Sequence, residues 1–539
     1  MHVLELIIFL VPTYILSLSI YGYGSFFKKF FLKTEEDNIA LIGLYGAFFL
    51  LIISYFTNIF IAHGMIHNLL IFVAGLIFLL NNKKLKSILK GNLILFLFIL
   101  GFLIFKNHDD FSYYHFPYIL NLIENKLLVG IGNLNHGFRT PSSIFYLQSL
   151  TFLPYLKFSY LNFFMLFFLA TVNLYFIYDI NNKLSQKKFK AIIFFNLISL
   201  LFINVKFYRL SEYGTDLVGQ ILLFVITSRL IYFLSEKSIK KNNVYSILIL
   251  TFFLITLKSY FILYVLIFLI VAYQILKRES LIYFINLLNF KIIFVILALM
   301  MLHFKTNFFN TGCIIYPVAQ TCFENFSWSI PKSSADAMSL WYEQWSKAGA
   351  NPNFRVENPE IYVKNFNWIG NWINNYFFTK VSDYLLSLTV LIIIFISIFY
   401  KKDENFIEKL NFKSIFLIYL IIFFEWFLNH PALRYGGYGI FSCLIFLLLS
   451  NFLQYKKLFE KKKLVYAIIF LSIILFNLRN INRLNDEYVN YNYNFLSNPK
   501  FDITEHHLRI KKQMKEIKLG VNVQEIKHKT SYNYEIFYR

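Results

Sequence analysis

Long apolar runs, separated by short polar loops, fill the chain from its start to about position 480. A helix needs about 20 apolar residues to cross the hydrocarbon core of a bilayer. Fourteen runs approach this length, at 3–23, 38–58, 66–82, 91–106, 158–178, 190–206, 216–235, 243–258, 259–276, 291–305, 381–400, 414–430, 437–455 and 464–479. We interpret 243–276 as a hairpin broken at Lys258, with one long helix as the alternative. The pattern predicts an all-α, polytopic membrane protein with about 14 transmembrane helices.

Composition supports a lipid bilayer as the surroundings of this chain. Hydrophobic types make up 58% of the 539 residues and charged types only 15%. A soluble protein could not hide that much apolar surface, so a soluble enzyme, a disordered chain and a disulfide scaffold are excluded.

The formal net charge of +22 comes from basic residues that gather in alternate loops. These loops are 28–33, 83–90, 183–188, 237–241, 277–278, 401–409 and 456–463. The positive-inside rule assigns them to the cytoplasm, which accounts for the charge without nucleic-acid binding. Both termini are then expected outside the cytoplasm, in a bacterial inner membrane. The first helix has no basic leader or small-residue cleavage site, so we expect it to be retained.

This topology divides the chain into a transmembrane domain, 1–479, and an extracytoplasmic C-terminal tail, 480–539. Two long segments of the domain, 107–157 and 306–380, are predicted to lie outside. The chemistry of the protein must be sought in them, because the spans themselves are almost free of ionisable residues.

The first outer loop opens with a pair of adjacent carboxylates, Asp109 and Asp110, directly after His108. Two carboxylates that are partly buried at a membrane surface repel each other, and one should titrate upward. Such a pair suits a general base, a metal ligand, or both. The alternative is a solvated acidic turn that caps the next helix.

Two interfacial helices are predicted in the rest of this loop. Residues 111–126 place apolar side chains on one stripe, and Thr140–Pro141 has the pattern of an N-cap followed by proline at the first helical position. The loop also carries His115, His136 and Arg139.

Asp109–Asp110 followed by Tyr113–Tyr114 resembles the Asp-Glu-x-Tyr-Tyr-type start of the catalytic loop in GT-C glycosyltransferases, such as protein mannosyltransferases and lipid A aminoarabinose transferases. The stretches NHDDFSYYHFPYI and GNLNHGFRTPSSIFYL also resemble a family of uncharacterised bacterial membrane proteins, in which they precede a TGCxxYP segment. Here that segment begins at Thr311.

The GT-C resemblance implies an enzyme that moves a sugar from a polyprenyl-phosphate donor to an extracytoplasmic glycan, lipid or protein acceptor. One carboxylate of the pair would take the proton of the acceptor hydroxyl. Asp109 is our expectation for that base, because it is first in the resembling pair. A second carboxylate in the next outer loop, Asp216 or Glu212, would assist. No cofactor is implied with certainty, and a divalent cation at Asp109 and Asp110 is left open.

A cation must stabilise the leaving phosphate, and the outer face offers Arg139, Arg209, Lys258, Arg355 and Arg434. By the resemblance, Arg434 of a late span would bind the lipid phosphate. The expected substrate-binding residues are His108, Tyr114, His115, His136, Arg139, Lys258, His430 and Arg434. The plain alternatives are a snorkelling Arg434, an Arg209–Glu212 surface pair, and a Lys258 paired with a neighbouring helix.

Cys313 and Cys322 lie in the second outer segment at a spacing of C-x8-C. Oxidation is possible outside the cytoplasm, so a disulfide is expected, with two free thiols as the alternative. Nearby tryptophans suit membrane anchoring better than stacking on sugar rings.

Two other functions compete with glycosyl transfer: an O-antigen-type glycan polymerase or ligase, and a membrane transporter. The polymerases and ligases rely on outer arginines and not on a carboxylate pair. Against a transporter, the chain shows no matched pair of Gly/Pro-broken helices, and its ionisable residues gather at helix ends. The carboxylate pair therefore discriminates between these functions.

Overall fold

The computed structural model describes residues 2–33, 38–80, 82–236, 238–287, 289–351, 353–402, 412–493, 509–521 and 525–539. Within them the chain is a bundle of helices with one two-stranded sheet near its end, so the all-α prediction is confirmed at that level. The predicted cytoplasmic lysines Lys237 and Lys409 and the tail positions 494–508 and 522–524 lie outside the described residues.

Eleven α-helices make up the first half of the described chain. They are α1 (His2–Phe27), α2 (Ile39–Phe60), α3 (Met65–Leu80), α4 (Leu85–Asn92), α5 (Ile99–Phe102), α6 (Phe116–Glu124), α7 (Ile144–Leu150), α8 (Phe163–Gln186), α9 (Lys190–Lys206), α10 (Asp216–Ser235) and α11 (Lys241–Leu257).

The second half contains eleven more helices and both strands. They are α12 (Leu266–Arg278), α13 (Leu281–Leu287), α14 (Phe290–Thr311), α15 (Lys332–Lys347), α16 (Pro359–Val363), α17 (Ile369–Trp372), α18 (Ser382–Ile398), α19 (Lys413–Asn429), α20 (Tyr438–Leu453), α21 (Lys462–Tyr491), α22 (Arg509–Lys518), β1 (Lys527–Ser531) and β2 (Tyr534–Tyr538). The domain boundary predicted at position 480 falls inside α21.

The prediction of about 14 transmembrane helices is wrong. Among the described residues, nine helical stretches are long and apolar enough to cross a membrane. They are Ile39–Phe60, Leu85–Phe102, Lys157–Gln186, Asp216–Ser235, Ser259–Arg278, Phe290–Thr311, Ile369–Ile398, Leu433–Leu453 and Phe459–Tyr491.

Length explains most of this difference. Helices α3, α9, α11 and α19 have only 16 or 17 residues. At about 1.5 Å per residue they rise roughly 25 Å, which is short of a hydrocarbon core of about 30 Å. Their apolar windows are visible in the sequence, but the positions where the helices end are not.

The connecting segments form two groups at opposite ends of the bundle. At the end that we call the basic end, the Lys457 N–H donates to the Lys401 carbonyl, and Arg278 donates to carbonyls of Phe233 and Glu236. At the other end, which we call the loop end, the Leu127 N–H donates to the Asn58 carbonyl. In each of these contacts, the two segments are ones that the sequence assigned to the same side of the membrane.

The centre of the bundle is α10, which is surrounded by α8, α9, α11 and α20. In its most apolar window 89% of the residues are buried, against 22% for the span that contains α18. An apolar helix that is buried on every side occupies a core position, whereas α18 presents its apolar surface outward. Most polar residues of α10 therefore lie within the packed core.

The first outer loop contains two helices, as predicted, but their starts differ from the prediction. The first, α6, follows a π-helical turn, and α7 begins at Ile144 with Ser143 as its N-cap residue, so the predicted N-cap at Thr140–Pro141 is wrong. Residues Phe116–Ile123 and all of α7 are buried, and α7 packs on α2 and α8. The loop is thus part of the packed protein at the loop end, and it supplies a firm base for the side chains that precede α6.

A C-terminal hairpin of β1 and β2 closes over this loop. Val129 pairs with β2 through its N–H to the Glu535 carbonyl and its carbonyl to the Phe537 N–H, at 3.0 and 2.9 Å. Gly130 has φ +74°, and a Cβ there would lie 2.0 Å from the Phe537 carbonyl oxygen, so glycine is required. The tail therefore braces the first outer loop.

Candidate functional site

Charged side chains from four separate segments meet at the loop end of the bundle. We call them the charge cluster: Asp110, Asp216, Lys258 and Arg434. Each lies where a helix begins, ends or is interrupted, because an ionisable side chain is costly inside an apolar span. Asp216 begins α10, and Lys258 follows α11 in an extended conformation, φ −155° and ψ 145°.

The charges in the cluster alternate in sign. Arg434 lies between the two carboxylates, with Nη2 3.5 Å from Asp110 Oδ2 and Nε 3.5 Å from Asp216 Oδ2. Lys258 Nζ lies 3.5 Å from the other oxygen of Asp216. Charge-assisted hydrogen bonds are shorter, about 2.7–2.9 Å. The cations are therefore balanced by charge and still have hydrogen-bonding capacity for a ligand.

Exposure divides the cluster into an inner and an outer part. The side chain of Asp216 is 6% exposed and that of Lys258 is 18% exposed, whereas Asp110 and Arg434 are each 36% exposed. A ligand that approaches the loop end would reach Asp110 and Arg434 first, with Asp216 behind them.

The position of Arg434 is fixed by contacts to its backbone and to its side chain. Its carbonyl oxygen accepts hydrogen bonds from Gln220 Nε2 and the Tyr260 hydroxyl, both at 3.4 Å. The guanidinium faces the ring of Trp345 at 5.6 Å, a cation–π contact. This support favours a held arginine over one that extends freely to the membrane surface.

The two adjacent aspartates have different surroundings. Asp109 is exposed, whereas Asp110 is half-buried beside Arg434. The Asp110 N–H donates to His108 Nδ1 at 3.0 Å, and His108 Nε2 lies 3.2 Å from Arg434 Nη2. The geometry therefore places Asp110, and not Asp109, in the cluster.

Two histidine rings stack beside the cluster. His108 and His115 have ring centroids 5.2 Å apart. Burial, and then the charge of Arg434, lowers the pKa of His108. Burial, and then His108, lowers the pKa of His115 well below its ordinary value. Both rings are therefore neutral at neutral pH, the form in which imidazole can bind a metal.

Tyr114 and His136 surround this pair without joining the ion pairs. The Tyr114 ring packs edge-on against His115 with centroids 4.4 Å apart, and burial raises the pKa of Tyr114. His136 Nδ1 lies 2.8 Å from the Tyr113 hydroxyl, and burial lowers the pKa of His136.

Arg139 lies outside the charge cluster and connects two loops. Its Nε donates to the Gly132 carbonyl at 2.9 Å, and its Nη1 donates to the Tyr316 hydroxyl at 3.1 Å. Tyr316 lies between Cys313 and Cys322, which form a disulfide. Arg139 thus ties the first outer loop to the second.

The remaining candidates lie apart from the charge cluster. Glu212 is paired with Arg483 of α21 and lies 3.6 Å from Arg209. His430 packs near the ring of Tyr435 at 6.2 Å, and the exposed Arg355 donates to the Phe354 carbonyl. Of the two carboxylates considered as assistants, the structure brings Asp216 and not Glu212 to Arg434.

Sequence reasoning missed the residues that support the cluster: Gln220, Tyr260 and Trp345. Gln220 follows Asp216 by four residues on α10, so helical periodicity places both on one face. Tyr260 is two residues from Lys258. Trp345 is one of several tryptophans in its segment, and nothing in the sequence indicated that it would contact Arg434.

Comparisons with known proteins give one match. No curated protein and no solved structure matches the chain. The model of a family described as a domain of unknown function, DUF8201, matches residues 6–441. This range is most of the chain, and it includes every member of the charge cluster. The chain therefore belongs to the DUF8201 family.

Proposed function

We propose that the protein is an integral-membrane glycosyltransferase that uses a polyprenyl-phosphate-linked sugar and an acceptor on the extracytoplasmic side. The observation that supports this proposal is the charge cluster, in which a reachable carboxylate lies beside a supported arginine. Transfer from a lipid phosphate needs both groups within reach of one substrate. The resemblance of the first outer loop to GT-C enzymes is in keeping with this function.

Arg434 is the proposed ligand of the donor phosphate. It is 36% exposed, its guanidinium is held by Trp345, and a guanidinium can bind two phosphate oxygens at once. The phosphate carries the negative charge of the leaving group when the bond to the sugar breaks. Arg434 would therefore stabilise the transition state as well as the bound donor.

Asp110 is the proposed general base. It takes the proton of the acceptor hydroxyl while the acceptor oxygen forms a bond to the anomeric carbon. The bond from that carbon to the phosphate oxygen breaks, and its electron pair leaves with the phosphate. Asp110 fits this role better than Asp109 because it adjoins the cation that would hold the donor.

Asp216 is the proposed positioning residue. It lies behind Arg434, and its two oxygens contact Arg434 and Lys258 separately. A buried carboxylate between two cations stays ionised and fixes both of them. Because only 6% of its side chain is exposed, Asp216 is poorly placed to meet an acceptor.

The test is the surface-glycan profile of a deletion strain, measured by gel and mass spectrometry. The strain is complemented with the wild-type chain, with Asp110→Asn or with the matched control Asp109→Asn, at equal protein levels in the membrane. We expect the wild-type chain and Asp109→Asn to restore the glycan. Asp110→Asn should leave the unmodified acceptor to accumulate, and the missing mass identifies the sugar.

Two outcomes would replace this proposal. Restoration by Asp110→Asn combined with failure of Arg434→Met would favour a polymerase or ligase that relies on arginine. Full activity of both variants in a flux assay would favour a transporter.

A further inference from the structure

Three side chains of the first outer loop converge in a way that is typical of a metal site. His108, Asp110 and His115 each offer a ligand atom, and these atoms lie within 4.8 Å of one another. His108 Nδ1 is 3.6 Å from Asp110 Oδ2. The three residues come from a stretch of eight, so the local fold alone brings them together.

An independent observation at the same place is the unpartnered nitrogen of His115. The residue is 4% exposed, and its Nε2 is buried without a hydrogen-bond partner among the described residues. Buried polar atoms nearly always have such a partner, so an exception needs an explanation. A bound cation would provide one, since a neutral imidazole nitrogen donates its lone pair to a metal.

The backbone around the three residues lets the two histidine rings pack closely against a neighbouring segment. Residues Phe111–His115 form one π-helical turn, a feature that is frequent at functional sites. Gly214 has φ +51° and approaches the rings from the segment before α10. A Cβ at this glycine would lie 3.0 Å from His115 Cε1 and 3.2 Å from the His108 Cβ, so a side chain here would crowd both histidines.

We propose that His108, Asp110 and His115 bind one divalent transition-metal ion, with Zn²⁺ as the preferred ion. Two imidazoles and one carboxylate suit zinc, cobalt or iron, whereas magnesium and calcium prefer oxygen ligands alone. Three protein ligands leave a coordination position for water or for a substrate oxygen. With ligand bonds of about 2.0–2.2 Å, the side chains must draw together slightly when the metal binds.

The charge around the site determines what completes the coordination of such an ion. The two carboxylates of the charge cluster are balanced by Arg434 and Lys258, so an added dication favours an anionic ligand at its open position. Arg434 contacts two of the proposed ligands, His108 and Asp110. It also contacts Asp216 at 3.5 Å, so the guanidinium keeps a carboxylate partner when the metal takes Asp110. The proposal concerns metal binding and does not depend on sugar transfer. The Asp110 oxygen that lies near His108 is Oδ2, so its other carboxylate oxygen stays available to take a proton.

The experiment uses the full-length chain, purified in detergent with an affinity tag that contains no histidine. The protein is stripped with a chelator and titrated with Zn²⁺ alone, and bound metal is measured by mass spectrometry. We expect one tightly held zinc per chain. His115→Ala and His108→Ala should weaken its binding by at least about 100-fold, since even the loss of a supporting residue around a metal costs 10–100-fold. Binding of Mg²⁺ should remain weak.

His136→Ala is the matched control. It removes a half-buried histidine of the same loop that lies outside the three ligands, and it should leave zinc affinity unchanged. Loss of binding in this variant alone, equal binding in all variants, or no retained zinc in the wild-type chain would overturn the proposal.

X-ray absorption of the zinc-loaded wild-type protein decides the question if the histidine variants fail to fold. Two imidazole nitrogens at about 2.0–2.1 Å would support the site, and a shell of oxygen or sulfur alone would contradict it. Failure of the glycan assay with zinc bound would reject sugar transfer and keep the metal site. The reverse result would reject the metal site alone.

Discussion

Two clusters of charged side chains lie at opposite ends of the bundle, and they are built differently. At the basic end, Asp179 pairs directly with Lys183 one helical turn away and accepts a hydrogen bond of 2.6 Å from Asn196. Both carboxylate oxygens are therefore occupied. At the loop end, the ion pairs of Asp110 and Asp216 span 3.5 Å, and Arg434 remains open to solvent.

This difference separates charge that supports the fold from charge that can bind a ligand. A closed pair such as Asp179–Lys183 is buried and directly bonded, so a ligand cannot readily reach it. Its value lies in balancing a charge that the bundle has already buried. An open cluster retains donors and acceptors at the cost of weaker internal pairing. Open clusters are expected where a ligand completes the arrangement.

The largest effect is expected from breaking the closed pair. Asp179→Asn would leave Lys183, whose side chain is 6% exposed, as an uncompensated charge. Removal of one partner of a buried pair costs about 3–5 kcal/mol. Thermal unfolding in detergent should show a clear loss of stability, while transfer activity per folded molecule is retained. An unchanged melting temperature would contradict the structural role of this pair.

The same substitution in the open cluster should have the opposite signature. Asp216→Asn removes the carboxylate shared by Lys258 and Arg434, so the cations repel each other and leave their positions. We expect activity to fall by about 10²–10³-fold, as for the loss of one stabilising group in a transition state. Stability should change little, because Lys258 and Arg434 retain some contact with water. Recovery of activity by Asp216→Glu would separate positioning from misfolding.

The next effect tests whether Arg434 acts by its shape or only by its charge. Arg434→Lys keeps one positive charge but loses the fork that reaches Asp110 through Nη2 and Asp216 through Nε. A hydrogen bond to a charged group contributes about 1.5–3 kcal/mol, so we expect its loss to lower activity by about 10–100-fold. Initial rates with a lipid-linked sugar donor would measure it. Wild-type rates would show that charge alone is sufficient.

A smaller effect is expected at the brace over the first outer loop. Gly130→Ala would place a methyl group against the Phe537 carbonyl and strain a backbone with φ +74°. We expect the contact between the hairpin and the first outer loop to be destabilised by about 1–2 kcal/mol, so that the hairpin detaches more often. Limited proteolysis should then cut the tail earlier than in the wild-type chain. Gly64→Ala is the control, since nothing lies within 4 Å of a Cβ there.

Sequence reasoning found the members of the charge cluster one by one, because each polar residue stands out at the end of an apolar run. It could not pair them, since Asp110, Asp216, Lys258 and Arg434 come from four distant segments and no local pattern fixes which helix ends are neighbours. The hairpin was also missed, because the outer partner of β2 is Val129 of a distant loop. The spans were overcounted for a local reason, the uncertain ends of short apolar helices.

The smallest expected effect concerns the choice between adjacent aspartates, which the sequence could not make. Asp109 and Asp110 have the same chemistry, but consecutive residues of a turn point in different directions, and only Asp110 faces Arg434. Asp109→Asn removes an exposed charge and should change stability by no more than about 0.5 kcal/mol. Its activity should stay within about twofold of the wild-type rate, since the change in pairing at an exposed site is worth under 1 kcal/mol.

Parallel rate measurements on the two variants, Asp109→Asn and Asp110→Asn, would check this. A loss of activity at Asp109 as large as that at Asp110 would show that the pair acts as one unit, and the division between an exposed and a clustered carboxylate would then be wrong.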